Sequence, residues 1–148
     1  MNAKKIHDDN GRKTYVLVFE EGEEVMTGLT RFADSEGLDA ASLTAVGAVG
    51  TTTLGYFDME RTEYKRIPVN QQAEVLSLVG DIVPVEDGGQ QAHVHAVLGL
   101  SDGTTRGGHL IEAHVRPTLE VVVTESPEHL RRKTDPRTGL ALIDIRNE

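Results

Sequence analysis

The chain has 148 residues, of which 24 are acidic and 15 are basic, and its formal net charge is −9. This length suits one domain with an apolar core of its own. The negative charge argues against general binding to nucleic-acid phosphates unless the basic residues gather on one surface. The sequence contains no cysteine, which excludes disulfides and thiolate metal ligands, so a metal would have to bind histidine, carboxylate or water.

Residues 1–12 are mostly polar and charged. We expect them to form a flexible N-terminal tail, followed by a single domain over residues 13–148. No apolar run reaches the length of a signal-peptide core or of a membrane span. We therefore expect a cytoplasmic protein without a membrane partner.

The segment after the tail contains a strand and the clearest helix of the chain. Residues 14–20 (TYVLVFE) predict a strand, which Glu21-Gly22 ends. Between residues 23 and 36 the apolar side chains recur at helical spacing, namely Val25, Met26, Leu29, Phe32 and Ala33. Gly37 follows as a candidate helix C-cap. We predict one long N-terminal helix whose apolar stripe faces the core.

After Asp39 the sequence is dominated by short β-rich segments separated by turn residues. They lie at about 42–49, 51–58, 63–67, 73–83, 92–100, 108–115, 119–124 and 139–145. Ser126-Pro127-Glu128 is typical of a helix start and predicts a short helical turn over 126–132, which would carry His129. Many short hairpin-linked strands and one helix predict an α+β domain with a bent, barrel-like, mainly antiparallel sheet.

The most informative motif is His93-Val94-His95, which Gly107-Gly108-His109 follows after a predicted hairpin. Residues i and i+2 of a strand share a face, so His93 and His95 lie side by side. A three-residue loop at Ser101-Asp102-Gly103, with Gly103 left-handed, would place His95 opposite His109. All three imidazoles would then share one face. A loop of another length, or a bulge at the two glycines, would break this register.

Three neutral imidazoles suit a divalent transition metal, with zinc as the first candidate and iron or nickel as alternatives. They leave coordination positions open for water or for a small anionic or carbonyl ligand. The metal hypothesis assigns His93, His95 and His109 as ligands. The alternative is a half-buried polar pair, in which His93 and His95 bind the backbone or a carboxylate.

Other polar residues near the motif have simpler explanations. Glu112 and His114 could join His109 only through a bulge or from a neighbouring subunit, because an unbroken strand places them on the opposite face. Arg106 and Arg116 could orient an anionic substrate, but a surface or interface ion pair is the simpler interpretation. His7 lies in the expected tail.

The order of these elements resembles the PPC domain, the plants-and-prokaryotes-conserved domain, also called the PCC domain. The resemblance runs from about Tyr15 to Ile145 and rests on TYVLVFEEGEEV, LTAVGAVGTTTLGYFD, AEVLSLVGDIV, HVHAVLGLSDGTTRGGHL and LEVVVTE. It implies a homotrimer that binds a metal near its subunit contacts through the positions of His93, His95 and His109. The fold is also similar to that of acetolactate decarboxylase, a zinc enzyme with a histidine-built site. Lyase-like catalysis is therefore one alternative, although a fold does not carry a function.

Two further hypotheses remain open. Plant members of the resembled family place this domain after DNA-binding AT-hook segments, but the Arg-Gly-Arg-Pro core of an AT-hook is absent from this chain. A basic patch could instead be formed by Arg131, Arg132, Lys133 and Arg137, although Asp135 interrupts it and a solvated helix end is the simpler explanation. The other hypothesis is a trimeric scaffold with a structural metal. A cupin is a minor alternative, because residues 96–100 lack the glutamate that a cupin places after His-X-His.

Overall fold

A computed structural model of the chain describes residues 1–10, 12–86, 88–126 and 130–145, which contain one helix and a mainly antiparallel sheet. In chain order the elements are β1 (Asn2–Asp9), β2 (Arg12–Glu20), α1 (Val25–Glu36), β3 (Ala41–Asp58), β4 (Glu63–Val69), β5 (Ala73–Pro84), β6 (Gln90–Gly99), β7 (Thr105–Glu125), β8 (Arg132–Thr134) and β9 (Ala141–Ile143). Seven strands form one sheet in the order β1-β2-β7-β6-β5-β3-β4, and β8 pairs with β9 in a separate hairpin. Within these ranges no helix has both the length and the apolar character that crossing a membrane requires.

The sheet is built around two long strands, β3 with 18 residues and β7 with 21. Each joins two segments that the sequence pattern separates, 42–49 with 51–58 and 108–115 with 119–124. The register between β3 and β7 shifts at three places, and such bulges bend a strand without ending it. Because β3 pairs with both β5 and β7, and β6 joins β5 to β7, these four strands form a closed circuit of pairings. The predicted antiparallel sheet is confirmed, and its barrel-like shape stays a prediction.

The core lies between the inner face of the sheet and α1. Fully buried side chains come from several elements, including Leu17 and Phe19 of β2, Leu29 of α1, Leu54 of β3 and Ile82 of β5. Residues alternate between core and exterior along the strands that carry the histidine motif. In β6, for example, Val94 and Ala96 are buried. The histidines on either side of Val94 therefore lie on the outer face of the sheet.

Helix α1 is shorter than predicted. It contains 12 residues and buries Val25, Leu29, Phe32 and Ala33, as its apolar spacing indicates. Gly37 adopts the left-handed conformation at φ 61° and ends the helix, which confirms the predicted C-cap. The helix begins only at Val25 because the carboxylate of Glu24 accepts hydrogen bonds from the first backbone N–H groups. The prediction of a long helix is thus wrong, while its position is right.

Glu24 links the start of α1 to strand β7, and this makes fold stability depend on pH. Its carboxylate accepts hydrogen bonds from the backbone N–H groups of Met26 (3.0 Å), Thr27 (2.7 Å) and Ala113 (3.2 Å). Burial alone would raise the pKa of Glu24, but these hydrogen bonds outweigh burial and hold the pKa below its ordinary value. The stabilisation is therefore complete above the pKa of the unfolded state and is lost as pH falls through the lower pKa of the folded state.

We expect Glu24→Gln to lower the free energy of unfolding at neutral pH by about 1 kcal/mol, because the amide accepts these hydrogen bonds more weakly. The difference from the wild type should shrink as the pH falls through the lowered folded-state pKa of Glu24, because the wild-type carboxyl then becomes neutral as well. Urea unfolding over a series of pH values from neutral to acidic measures both quantities. A difference that does not change with pH would contradict the assigned role of the carboxylate.

The N-terminal segment differs from the expected flexible tail. Residues 2–9 form β1, which pairs antiparallel with β2 from Asn2 opposite Val18 to Asp9 opposite Arg12. All eight side chains of β1, including that of His7, are exposed. An edge strand of this kind is held through its backbone, so its side chains need no apolar pattern. This is why polar composition alone suggested a tail.

The C-terminal segment also differs from its prediction. The helical turn expected at 126–132 falls partly on residues 127–129, which lie outside the described residues. Arg132 begins strand β8, which pairs with β9 across a turn. Strand β9 lies inside the β-rich segment predicted at 139–145. The hairpin of β8 and β9 lies against the face of the sheet that carries the histidines.

Candidate metal centre

The hairpin between β6 and β7 has the predicted geometry. The Leu100 N–H donates to the Thr104 carbonyl at 2.9 Å, the Gly103 N–H donates to the Leu100 carbonyl at 2.9 Å, and Gly103 has φ 82°. His95 consequently lies opposite His109. Asp102 stabilises the loop because it accepts hydrogen bonds from the N–H and the hydroxyl of Thr104. The register inferred from the three-residue loop is confirmed.

The three imidazoles lie together on the outer face of the sheet. One ring nitrogen from each of His93, His95 and His109 lies within 4.8 Å of the other two. The Nε2 atoms of His93 and His95 are 3.2 Å apart, and the ring centroids of the three pairs are separated by 5.1, 5.2 and 5.5 Å. Zinc binds imidazole nitrogen at about 2.0–2.1 Å, so two ligands of one ion lie at most about 4.2 Å apart. Small side-chain rotations would bring the whole set into that range.

The imidazoles of His93 and His109 are held in the neutral form that binds metals. Burial, followed by the neighbouring His93 and His95, lowers the pKa of His109 to about 4. Burial also lowers the pKa of His93, helped by the positive charge of Arg132 and opposed by Asp81. Both rings are consequently neutral near pH 7 and can donate lone pairs.

The hydrogen bonds of the described residues favour a ligand role over a structural one. Within the described residues, His93 and His95 contact each other and bind neither a backbone group nor a carboxylate. The Nδ1 atom of His109 is buried and has no hydrogen-bond partner in the same ranges. A buried nitrogen without a partner is costly. The lack of a backbone or carboxylate partner at His93 and His95 in the described residues argues against the half-buried polar pair that was the alternative. Three imidazoles without a thiolate or carboxylate form a donor set that fits zinc, iron or nickel.

Close backbone approaches position the histidines. A Cβ atom on Gly80 would lie 2.3 Å from the carbonyl oxygen of His93, and one on Gly108 would lie 2.7 Å from the carbonyl oxygen of Gly55. Gly108 therefore marks a close approach, and the β6–β7 register runs through it without a bulge. The space beside Gly55 admits the ring of Tyr64, which stacks on His109 with centroids 4.7 Å apart and planes at 25°. Tyr64 was not predictable from the sequence, because no local pattern relates it to the motif.

A cavity of about 250 Å³ opens beside His93 and His109, with Tyr64 and Arg132 among its lining residues. The Arg132 side chain is only 3% exposed, and its Nη2 contacts the carboxylate of Asp81. Its Nη1 donates to the carbonyl of Ala141 at 2.7 Å. The interpretation of Arg132 as part of a solvated basic cluster is thus wrong, because the hairpin of β8 and β9 folds it back onto the sheet.

The chain matches the model of the Plants and Prokaryotes Conserved (PCC) domain over residues 7–127. It belongs to this family. Two solved structures are similar to this PCC protein over most of both chains. A plant- and prokaryote-conserved protein of Pyrococcus horikoshii is 34% identical, with a TM-score of 0.83 over 91% of this chain and 93% of that chain. A metal-containing protein of Archaeoglobus fulgidus is also 34% identical, with a TM-score of 0.80 over 88% of this chain and 91% of that chain.

Other relatives of the PCC protein bear on the DNA hypothesis and on the fold. An AT-hook motif nuclear-localized protein of Arabidopsis thaliana is 27% identical over 82% of this chain, which spans only 28% of that relative. A candidate DNA-binding protein of Bacteroides thetaiotaomicron is 26% identical, with a TM-score of 0.88 over 98% of this chain and 99% of that chain. α-Acetolactate decarboxylase of Bacillus subtilis shares the fold alone. It is 11% identical, with a TM-score of 0.58 over 89% of this chain and 60% of that chain.

The remaining residues singled out from the sequence lie apart from the histidine cluster. A bulge in β7 between Leu110 and Glu112 does bring Glu112 to the outer face. Its carboxylate nevertheless faces His114, with Oε1 and Nδ1 3.9 Å apart, and both residues border a different pocket. Arg116 forms an exposed ion pair with Glu21 at 3.4 Å, as the simpler interpretation predicts. Arg106 is exposed near the hairpin loop.

Proposed function

We propose that this PCC protein binds one divalent transition metal through His93, His95 and His109, with zinc as the first candidate and iron or nickel as alternatives. The proposal is carried by three imidazole nitrogens that lie within 4.8 Å of one another. The similarity to a metal-containing protein of Archaeoglobus fulgidus supports it. Elemental analysis of purified, tag-free protein tests it. We expect one metal ion per chain, and no uptake after incubation with zinc, iron or nickel would contradict the proposal.

Three protein ligands leave room at the metal for a small anionic or carbonyl ligand. When bound, the ion would polarise a carbonyl group or lower the pKa of a bound water. The residues of the chain would supply the surroundings for this chemistry. Tyr64 restricts the ring of His109, and Arg132, which is ion-paired with Asp81, lines the cavity. Small-molecule binding is the function that this arrangement favours, and lyase-like catalysis rests on fold analogy with the decarboxylase.

We further propose that the protein assembles as a homotrimer, as the family resemblance implies. An outer apolar patch, defined as Val46, Leu76, Val79, Val97 and Val122, is between 41% and 60% exposed. Val79 lies opposite His95 in the β5–β6 ladder, so the patch adjoins the histidine cluster. Exposed apolar patches commonly mark protein interfaces. A subunit interface here would lie close to the metal site.

We expect Val46→Lys to dissociate the trimer into smaller species in native mass spectrometry, because a charge in an apolar interface loses its hydration. Met59→Lys is the matched control. Met59 is also largely exposed, at 66% against 60% for Val46, but it lies in the turn between β3 and β4. Trimers that persist in the Val46 variant would rule out this patch as the interface.

DNA binding is the second candidate, because the AT-hook relative and the Bacteroides protein favour it. The net charge of −9 and the burial of Arg132 oppose it. Fluorescence anisotropy with a labelled duplex across a salt series separates the candidates. Binding that weakens steeply with salt would support a DNA partner, whereas no binding at low salt would remove it. The scaffold alternative has a different signature, which is a metal without an open position and loss of the trimer on chelation.

A further inference from the structure

The cavity beside the histidines is partly built by residues that follow the stretch matching the family model. The PCC match ends at residue 127, whereas the hairpin of β8 and β9 spans residues 132–143. This hairpin contributes Arg132, Leu140 and Leu142 to the cavity wall, opposite His93 and His109. What enters the cavity therefore depends on a segment that the family match leaves out.

Arg132 is the polar group of this hairpin whose hydrogen bonding is incomplete. Its guanidinium is buried, and Nη1 and Nη2 bind the Ala141 carbonyl and the Asp81 carboxylate. Its Nε is buried and has no partner within the described ranges. A guanidinium has five N–H donors in a planar fork that matches a carboxylate. Arg132 lines the cavity and uses two of its five donors in these two hydrogen bonds, so donors remain for an anion that enters.

The charges around the cavity also favour an anion. Metal-bound imidazoles are neutral, and the charge of Asp81 is offset by that of Arg132. The cluster that could hold a metal in the described residues consists of the three histidines and includes no carboxylate. A bound dication would therefore keep its full charge toward the cavity. Ala92, Leu140 and Leu142 make part of the wall apolar, which suits a short hydrocarbon group.

We propose that the cavity binds a short-chain carboxylate, with its carboxylate group between the three-histidine site and Arg132 and its hydrocarbon end against Leu140 and Leu142. This proposal rests on the metal site proposed above and adds the class of ligand to it. Arg132 is the binding residue that selects an anion. The volume of about 250 Å³ limits the ligand to a small molecule.

Isothermal titration of metal-loaded and metal-free protein with butyrate tests this assignment, with butyramide as the neutral control and inorganic phosphate as a competing anion. We expect butyrate to bind the loaded protein and butyramide to bind much more weakly. The double variant Arg132→Met, Asp81→Asn removes both partners of the ion pair and leaves no unpaired charge. It should bind butyrate at least about tenfold more weakly. Arg131→Met is the control, since Arg131 is the exposed neighbour on the same segment.

Asp81→Asn alone separates binding from a structural role of the ion pair. This change removes the carboxylate that competes for Arg132, so butyrate should bind several-fold more tightly. Equal butyrate affinity in wild type and the double variant, tighter binding of phosphate than of butyrate, or no binding to loaded protein would overturn the proposal. Metal content is measured on each sample. If the protein takes up no metal and still binds butyrate through Arg132, the metal site fails and the carboxylate pocket stands.

Discussion

The double variant His93→Ala, His95→Ala is expected to lose the metal binding proposed for the three-histidine site and to keep its fold. It removes two of the three ligands, and a single imidazole at His109 cannot hold a divalent ion in competition with water. We expect the metal affinity to fall by at least two orders of magnitude, since even residues that only orient ligands change it by about 10–100-fold. Both side chains lie on the outer face of β6, so their truncation opens no cavity in the core.

Elemental analysis and thermal unfolding of the same samples measure this outcome. The wild type should gain stability when metal is added, because an ion that binds only the folded state raises the unfolding temperature. The double variant should show no such gain. His114→Ala is the matched control, since His114 lies on β7 outside the cluster. Full metal occupancy in the double variant would place the site elsewhere in the protein.

Gly80→Ala is expected to weaken both the fold and the metal site without touching a ligand. Gly80 lies opposite Val94, and a Cβ atom there would meet the carbonyl oxygen of His93 at 2.3 Å and the Cα atom of Val94 at 2.9 Å. These are backbone atoms, so no side-chain rotation relieves the clash. Strand β6 must move away from β5 and carry His93 and His95 with it. We expect a loss of about 1–3 kcal/mol in the free energy of unfolding.

The same displacement should lower metal affinity by about tenfold or more, as a disturbed ligand orientation does. Urea unfolding of the metal-free protein and metal titration measure the two effects separately. Gly50→Ala is the control, because a Cβ atom at Gly50 would meet its nearest neighbours, atoms of the Arg116 side chain, at 3.4 Å. Wild-type stability together with wild-type affinity in Gly80→Ala would show that the approach of β5 to β6 does not position the histidines.

Short-range features of the chain were predictable because their causes are local. The two-residue period of a strand places His93 beside His95, and a loop of three residues with a left-handed Gly103 sets the register that brings in His109. The apolar spacing and Gly37 likewise located α1. In each case the residues involved are near neighbours in the chain.

Other features were missed because they depend on contacts between distant segments. The polar segment 2–9 becomes a strand only because its backbone pairs with the edge of β2. The predicted segments on either side of Gly50 merge into β3 because β7 pairs along both of them. The bulge that turns Glu112 outward arises in the same pairing. The hydropathy pattern along the chain does not predict which strands pair with each other.

The sequence by itself therefore determined the three-histidine motif and the common face of its side chains, because strand periodicity and turn chemistry act over a few residues. The order of the motifs along the chain indicated the family. Only the tertiary structure decided what surrounds them. Tyr64 reaches His109 from β4, and Arg132 reaches the same cavity from the C-terminal hairpin. Both contacts join residues that are far apart in the chain. Such neighbours are selected by packing and charge pairing and not by local propensity. The ligand class proposed for the cavity depends on the second of these contacts.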